Sequence, residues 1–181
     1  MTDFIRTPDA NFEELSDFSF APNYHTWQDL RMHYVDEGPK DAPVMLLMHG
    51  MPTWSYLYRD MIPGLVEAGY RCVAPDHMGF GRSDKPTDIH WYTIARHTEI
   101  LTSLIVDLNL KNINFPIEEI EKFYLFKSKR WDLLTIKNQL IKLPVNDYNK
   151  SLLNFISLKD QANFEKYKIF DYRIKDQLIL K

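Results

Sequence analysis

The chain has 181 residues, of which 45% are hydrophobic and 26% charged, and its formal net charge is −3. This length and composition are sufficient for a globular domain with a sizeable core. The small negative charge gives no reason to expect a nucleic-acid partner. The one cysteine, Cys72, excludes an intrachain disulfide, and its apolar neighbours favour a buried side chain.

The N-terminal residues are polar and acidic, and they lack the basic and then apolar pattern of a secretory signal. The longest apolar run, residues 44–48, is far shorter than the roughly 20 residues that span a bilayer. We therefore expect a cytoplasmic protein that does not enter a membrane. No metal or cofactor is predicted. The GFG turn is not a dinucleotide-binding fingerprint, because Asp84 stands where the third glycine is needed.

The composition changes abruptly near Ile113. Residues 1–113 carry nine Lys and Arg and 16 Asp and Glu. Residues 114–181 carry 13 Lys and Arg and nine Asp and Glu. All six glycines and all seven methionines lie in the first part, and Lys, Asn and Ile make up 25 of the 68 residues in the second. Such a change is typical of two joined sequences of different origin. We predict two parts with these limits, and a biological junction and an assembly or frame error both stay open.

The first elements predicted along the chain are a hairpin and a buried strand. Residues 17–26 and 30–37 alternate between apolar and polar side chains, which predicts two antiparallel strands. Residues 42–50 form a continuous apolar run that ends in glycine, as in a parallel strand buried on both faces. Residues 54–68 have a helical pattern, which Pro63 and its neighbouring glycine are expected to kink or divide.

A second strand and helix follow. Residues 70–75 predict a short buried strand, and residues 92–110 predict a long amphipathic helix. The order of strand, helix, strand and helix after a hairpin is typical of an α/β fold with a parallel sheet.

The tail is predicted to be mostly helical. Residues 131–143 and 147–158 have helical patterns, whereas residues 123–128 and 167–174 fit either strands or helices. Its many lysines are interpreted as a solvated face, with a basic binding surface as the alternative. The sequence identifies no partner for the tail.

Three segments carry a resemblance to a known family. HGMPTWSYLYR (49–59) follows the apolar strand, APDHMGFGRSDKP (74–86) follows the next strand, and LNLKNI (108–113) ends the long helix. Together they resemble haloalkane dehalogenases of the α/β-hydrolase fold, and the resemblance covers residues 1–113. Epoxide hydrolases share the HGxP segment and the glycine-rich turn, so a fragment of such an enzyme is an alternative.

The resemblance implies an incomplete α/β-hydrolase sheet and an oxyanion loop formed by His49, Gly50, Met51 and Pro52. The backbone N–H of Met51 is then an oxyanion donor, and the Met51–Pro52 peptide bond is expected to be cis. Trp54 is expected at the pocket wall, and His49 is expected to support the loop rather than act as a base. The implied substrate is a small haloalkane, cleaved hydrolytically through an alkyl-enzyme ester.

Other parts of the family's catalytic machinery have no counterpart in this sequence. The family uses an Asp nucleophile beside glycine, a halide-binding Trp, and a late His with its carboxylate. No glycine follows Gly81 and no histidine follows His97, and Trp131 lacks the matching context. Asp76 and His77 are interpreted as structural residues. We therefore expect a truncated, chimeric and catalytically inactive chain, or alternatively a non-catalytic chimera whose tail is a binding segment.

Overall fold

The computed structural model describes residues 2–15, 17–112, 115–128, 130–146 and 148–181. The chain divides into two compact units, Met1–Leu104 and Ile105–Lys181, which we call the N-terminal and C-terminal units. The junction predicted near Ile113 lies outside the described residues, because neither Ile113 nor Asn114 is among them. The limits 1–113 and 114–181 therefore stay a prediction.

The described residues of the N-terminal unit form six strands and a short helix, and a second helix begins among them. The strands are β1 (Phe4–Ile5), β2 (Asn23–Trp27), β3 (Leu30–Glu37), β4 (Val44–Leu46), β5 (Arg71–Pro75) and β6 (Lys85–Pro86). The helices are α1 (Met61–Glu67) and α2 (Ile94–Asn112). Strands β2, β3, β5 and β4 form the main sheet in that order, and β1 pairs with β6.

The main sheet combines an antiparallel hairpin with one parallel pair. Strand β3 is antiparallel to both β2 and β5, whereas β4 runs parallel to β5. This arrangement confirms the predicted hairpin and the parallel pairing of the next two strands. Strand β2, the first strand of the predicted hairpin, begins only at Asn23, because Pro22 before it has no N–H for the ladder.

The prediction that residues 42–50 form a strand buried on both faces was wrong. Strand β4 has only three residues, and all of them are exposed, Val44 to 53%. Apolar runs predict burial only when neighbours cover both the strand's faces and its free edge. In the described part of the chain, β4 is an edge strand and pairs only with β5.

The helix predicted for residues 54–68 is shorter and begins later. Ser55–Tyr58 form a 3₁₀ turn, and α1 then runs through Pro63 without a break. Pro63 lies in the first turn of α1, where a backbone N–H has no helical partner, so the missing donor costs nothing.

Strand β5 and helix α2 match their predicted positions closely. All five residues of β5 are buried, and Cys72 and Ala74 belong to an apolar cluster of the unit. Helix α2 begins at Ile94, and the hydroxyl of Thr93 accepts the N–H of Arg96 at 3.2 Å. A side-chain acceptor at this position satisfies one of the free donors of the first turn.

The C-terminal unit is built around a five-stranded sheet. Its strands are β7 (Ile120–Leu125), β8 (Trp131–Thr135), β9 (Leu140–Lys142), β10 (Ile169–Asp171) and β11 (Ile179–Leu180), in the spatial order β11-β10-β9-β8-β7. Helix α3 (Tyr148–Leu158) lies between β9 and β10 in the chain, and buries Leu152 and Phe155. These two side chains pack with Leu133, Ile141 and Phe170 in a contiguous apolar core.

The prediction of a mostly helical tail was therefore wrong. Residues 131–143 form the β8–β9 hairpin instead of a helix. Their apolar side chains fit helical spacing and strand alternation equally well. The turn between β8 and β9 decides between helix and strands. Asn138 has a φ of +58° there, and the Thr135 hydroxyl accepts the N–H of Gln139. The helix predicted for residues 147–158 is confirmed from Tyr148 onward, and Asp147 lies outside the described residues.

The two ambiguous segments of the tail both contain strands, β7 and β10. Among the helices that the structure describes, none is long and apolar enough to cross a membrane.

Candidate active site

The HGMP segment leaves β4 as a tight loop that is fixed by its own backbone. The carbonyl of Gly50 accepts hydrogen bonds from the N–H of Thr53 at 3.0 Å and from the Thr53 hydroxyl at 2.8 Å. The Tyr58 hydroxyl donates to the carbonyl of Met48 at 2.6 Å. The Met51–Pro52 peptide bond is cis, as the resemblance implied.

These bonds determine where the N–H of Met51 points. In a trans peptide the C=O and N–H point in opposite directions, and the Gly50 carbonyl is directed at Thr53. The Met51 N–H is therefore directed away from Thr53. No hydrogen bond within the described residues uses this donor.

His49 uses both ring nitrogens to hold the loop. Its Nε2 accepts the backbone N–H of His77 at 2.9 Å, so its Nδ1 carries the proton and donates to the Gly50 carbonyl at 3.1 Å. The residue is only 5% exposed. A ring with both nitrogens engaged holds a single neutral tautomer. This geometry agrees with a supporting role for His49.

A cavity of ≈ 340 Å³ lies beside this loop. It is open to solvent, and the loop, the glycine-rich turn and helix α2 all contribute to it. Its lining residues are Met48, His49, Gly50, Met51, His77, Phe80, Ile94, His97, Thr98 and Leu101. No carboxylate is among these lining residues, so along the described chain the cavity offers apolar surface, imidazoles and backbone groups.

Three histidine rings meet at the cavity. The ring centroids of His49 and His77 are 4.6 Å apart, and those of His77 and His97 are 5.6 Å apart. Burial and the neighbouring rings lower the pKa of His77 to about 4, and burial followed by the influence of His49 also lowers the pKa of His97. Both rings are therefore neutral at pH 7.

Asp76 is not among the residues that line the cavity, and its carboxylate organises the glycine-rich turn. Its carboxylate accepts the N–H of Ser55 at 2.8 Å, the N–H of Arg82 at 2.9 Å and Nδ1–H of His33 at 2.8 Å. Burial alone raises the pKa of Asp76, but these hydrogen bonds outweigh it and hold the pKa below its ordinary value. Every oxygen of this carboxylate is occupied, which supports the structural interpretation of Asp76.

The structure does not place Trp54 with the other predicted site residues. Its ring packs against Phe12 and Phe18 at centroid distances of 5.4 and 5.2 Å and stacks on Tyr56. Trp54 is not among the residues that line the cavity described above. A place at a substrate pocket thus stays a prediction for this residue.

Sequence reasoning missed His97 and the lining role of His77. The signal for His97 was present, because Ile94, His97, Thr98 and Leu101 have the i, i+3, i+4, i+7 spacing of one helix face. Despite the three imidazoles, the described residues contain no group of His, Cys, Asp or Glu with the geometry to hold a metal ion.

The sequence is similar to known proteins over its N-terminal part. A family model described as the alpha/beta hydrolase fold matches residues 43–115. A haloalkane dehalogenase of Mycobacterium marinum is 50% identical over 122 residues, which are 65% of this chain and 41% of that protein. A haloalkane dehalogenase of Psychrobacter cryohalolentis is 51% identical over 114 residues, which are 60% of this chain and 38% of that protein.

A solved structure agrees with these sequences. Haloalkane dehalogenase DpaA from Paraglaciecola agarilytica NO2 superposes with a TM-score of 0.58 at 49% identity, over 61% of this chain and 38% of that chain. The chain thus spans only about two fifths of the length of the curated relatives that it matches. The N-terminal part of this chain is thus similar to haloalkane dehalogenases, and residues 43–115 match the alpha/beta hydrolase fold.

Proposed function

We propose that residues 1–113 provide the oxyanion-binding loop of a haloalkane dehalogenase-like hydrolase, and that this chain does not complete the reaction by itself. One observation carries the first half of the proposal. The N–H of Met51 lies on a cavity-lining loop without an internal partner, while three hydrogen bonds to the Gly50 carbonyl fix its direction.

A donor held in this way suits the chemistry of ester hydrolysis. In the proposed reaction a carboxylate displaces halide from carbon, and water then attacks the resulting alkyl ester. The tetrahedral intermediate of that second step carries an oxyanion. A preorganised N–H aimed at such an oxygen contributes about 3 kcal/mol to catalysis.

The second half of the proposal rests on which groups reach the cavity. Displacement of halide needs a nucleophile, and the described lining residues include no carboxylate. Asp76 is nearby in sequence, but its oxygens are occupied by Ser55, Arg82 and His33. No histidine follows His97 and no glycine follows Gly81, so the sequence offers neither a late base nor a glycine-flanked nucleophile turn after that point.

A halide-release assay tests the catalytic half. The full chain is incubated with short 1-bromoalkanes and 1-chloroalkanes, and free halide is measured against heat-denatured protein. We expect equal halide in both samples. Release that depends on native protein and disappears in His77→Phe would contradict the proposed inactivity.

The loop is tested separately by amide chemical shifts. Bromide and acetate are titrated into isotopically labelled chain, and the backbone amides of Met51 and Thr53 are followed. We expect a saturable shift at Met51, because its N–H is free to bind an anion. The Thr53 amide, which donates to Gly50, serves as the internal control. Equal shifts at both amides, or none, would show that the loop does not bind anions.

A further inference from the structure

The cavity beside the HGMP segment contains an imidazole that no hydrogen bond holds. His97 lies on helix α2 and is one of the lining residues, all of which belong to the N-terminal unit. Its ring makes no hydrogen bond with the described residues, and neither ring nitrogen is fully buried. A ring in this position is free to bind and orient a water molecule.

The other two rings at the cavity are less suited to activate water. His49 has both nitrogens engaged, by the N–H of His77 and the carbonyl of Gly50. Nδ1 of His77 is buried without a hydrogen-bond partner in the described chain, and burial lowers the pKa of His77 to about 4, which makes the ring a weak base. An efficient general base has a pKa near the working pH. Of the three rings, His97 is therefore the one able to take a proton from water.

The surroundings of His97 keep its ring neutral. Burial, followed by the influence of His49, lowers the pKa of His97 from its ordinary value. The other rings around it are His77, Trp91 and Tyr92, at centroid distances of 5.6, 6.2 and 6.1 Å. Burial raises the pKa of Tyr92, so this neighbour is uncharged as well. At pH 7 the His97 imidazole thus has a lone pair that is available for a proton.

The same cavity provides the N–H of Met51 on its lining loop. Hydrolysis of an ester by water needs a base that takes a proton from the water and a donor that stabilises the oxyanion of the tetrahedral intermediate. His97 and the Met51 N–H supply these two groups. The reaction needs no carboxylate nucleophile, so the absence of a carboxylate among the described lining residues does not prevent it.

The lining residues also limit the class of ester. They include no Asp, Glu, Lys or Arg in the described chain, so no second acid is available to protonate a poor leaving group. An aryl oxide leaves as a stable anion without a proton. Phe80, Ile94 and Leu101 provide apolar surface for the aryl ring and a short acyl chain.

We propose that this cavity hydrolyses small aryl esters, with His97 as the general base and the Met51 N–H as the oxyanion donor. Water attacks the carbonyl carbon and gives one proton to His97, while the carbonyl oxygen becomes the oxyanion. Collapse of the intermediate breaks the bond to the aryl oxide and leaves a carboxylic acid, and His97 returns its proton to solvent. The proposal rests on the loop of the proposed function but concerns a different reaction.

Release of p-nitrophenolate from p-nitrophenyl acetate by the full chain tests the proposal. We expect saturable hydrolysis with many turnovers, about 100-fold faster than with an equal concentration of free imidazole at pH 7. His97→Gln should lower kcat/KM at least about tenfold, because an amide is not a base. His90→Gln is the matched control and should retain the parent rate, since His90 is exposed and does not line the cavity.

A second variant keeps the test independent of the folding of His97→Gln. Leu101→Trp retains His97 but fills the cavity one helical turn away, so it should also reduce hydrolysis, and circular dichroism checks the fold of each variant. Mass spectrometry of the parent counts acetyl groups on the chain. Equal rates for the parent and a folded His97→Gln, hydrolysis that does not saturate, or acetylation of the chain without turnover would overturn the proposal.

The amide titration with acetate separates this proposal from the proposed function. A saturable shift at Met51, together with hydrolysis that does not depend on His97, would overturn the aryl esterase and leave the loop assignment intact. Absence of a shift at Met51 would overturn the oxyanion loop and the donor named here.

Discussion

The backbone N–H of His77 donates to Nε2 of His49 at 2.9 Å, and this bond joins the loop after β4 to the turn after β5. It fixes the His49 tautomer and leaves Nδ1–H for the Gly50 carbonyl. One side chain thus joins two of the three segments that line the cavity. The geometry of the cavity depends on this bond.

Removal of the His49 ring is therefore expected to destabilise the N-terminal unit. His49→Ala leaves the N–H of His77 without its partner and removes one of the three hydrogen bonds to the Gly50 carbonyl, which costs about 1–3 kcal/mol. Urea unfolding followed by circular dichroism provides the measurement. His90→Ala is the control, since His90 is exposed, and an equal effect of both substitutions would contradict the assigned role.

Stability is expected to fall as the pH decreases from 6.5 to 4. The pKa of His77 is about 4 in the folded state, below its ordinary 6.5, because its ring is buried beside His49 and His97. In this range the unfolded chain binds more protons, so acid favours unfolding, while above pH 6.5 both states are neutral and the effect is absent. The protonation of His77 lowers the free energy of unfolding by at most roughly 3 kcal/mol.

The histidine substitutions identify the source of this pH dependence. His77→Gln cannot take up the proton, so its free energy of unfolding should change less between pH 7 and pH 5 than that of the parent. His90→Gln is the matched control and should retain the parent profile. A steep profile in His77→Gln would assign the dependence to other groups.

Gly81 is expected not to tolerate a side chain. Its φ is +47°, and a Cβ there would lie 2.2 Å from Oδ2 of Asp76. Backbone strain and displacement of the Asp76 carboxylate together predict that Gly81→Ala lowers the free energy of unfolding by roughly 2–4 kcal/mol. Gly64→Ala is the matched control: Gly64 lies in α1 with open space around it, so alanine should be neutral or stabilise by up to about 1 kcal/mol. Differential scanning calorimetry of both variants distinguishes these outcomes.

Arg71 and Asp36 form a buried ion pair at the base of the sheet. The guanidinium contacts both carboxylate oxygens, at 2.7 and 2.8 Å, and Arg71 is only 2% exposed. Arg71→Ala leaves the buried Asp36 carboxylate with Lys40 as its remaining ionic partner, so we expect a loss of about 3 kcal/mol in the free energy of unfolding, at the low end for a broken buried pair. Lys150→Ala removes the partner of Asp176 at the surface and is expected to cost less than about 1 kcal/mol. Similar losses for both variants, measured by urea unfolding, would show that burial adds nothing to this pair.

The open edge of β4 is expected to promote aggregation of the N-terminal unit. Val44 is 53% exposed on a strand whose outer edge has no partner among the described residues. Val44→Lys should lower light scattering at high protein concentration, because charge on an edge strand opposes strand addition. Ile89→Lys is the control, since Ile89 is more exposed but lies outside the sheet. An equal decrease in light scattering for both variants would point to general surface hydrophobicity instead.

Local sequence patterns predicted the elements whose signals lie within the element. The β2–β3 hairpin, the buried strand β5 and helix α2 all have alternation or amphipathic spacing over their own residues. These features depend on backbone preference and side-chain periodicity, which neighbouring residues determine. The cis bond before Pro52 was implied instead by the resemblance of the HGMP segment to a known family.

Tertiary structure decided whatever depended on partners distant in sequence. The apolar run at β4 predicted burial, but burial needs a strand on its free edge, and the described chain places none there. Residues 131–143 were predicted to be helical, but the pairing of β8 with β7 and β9 makes them strands. His49, His77 and His97 come from three separate segments, so only folding could bring their rings together. Sequence by itself determined local conformation and family resemblance, whereas long-range packing determined which surfaces are covered and which side chains share a cavity.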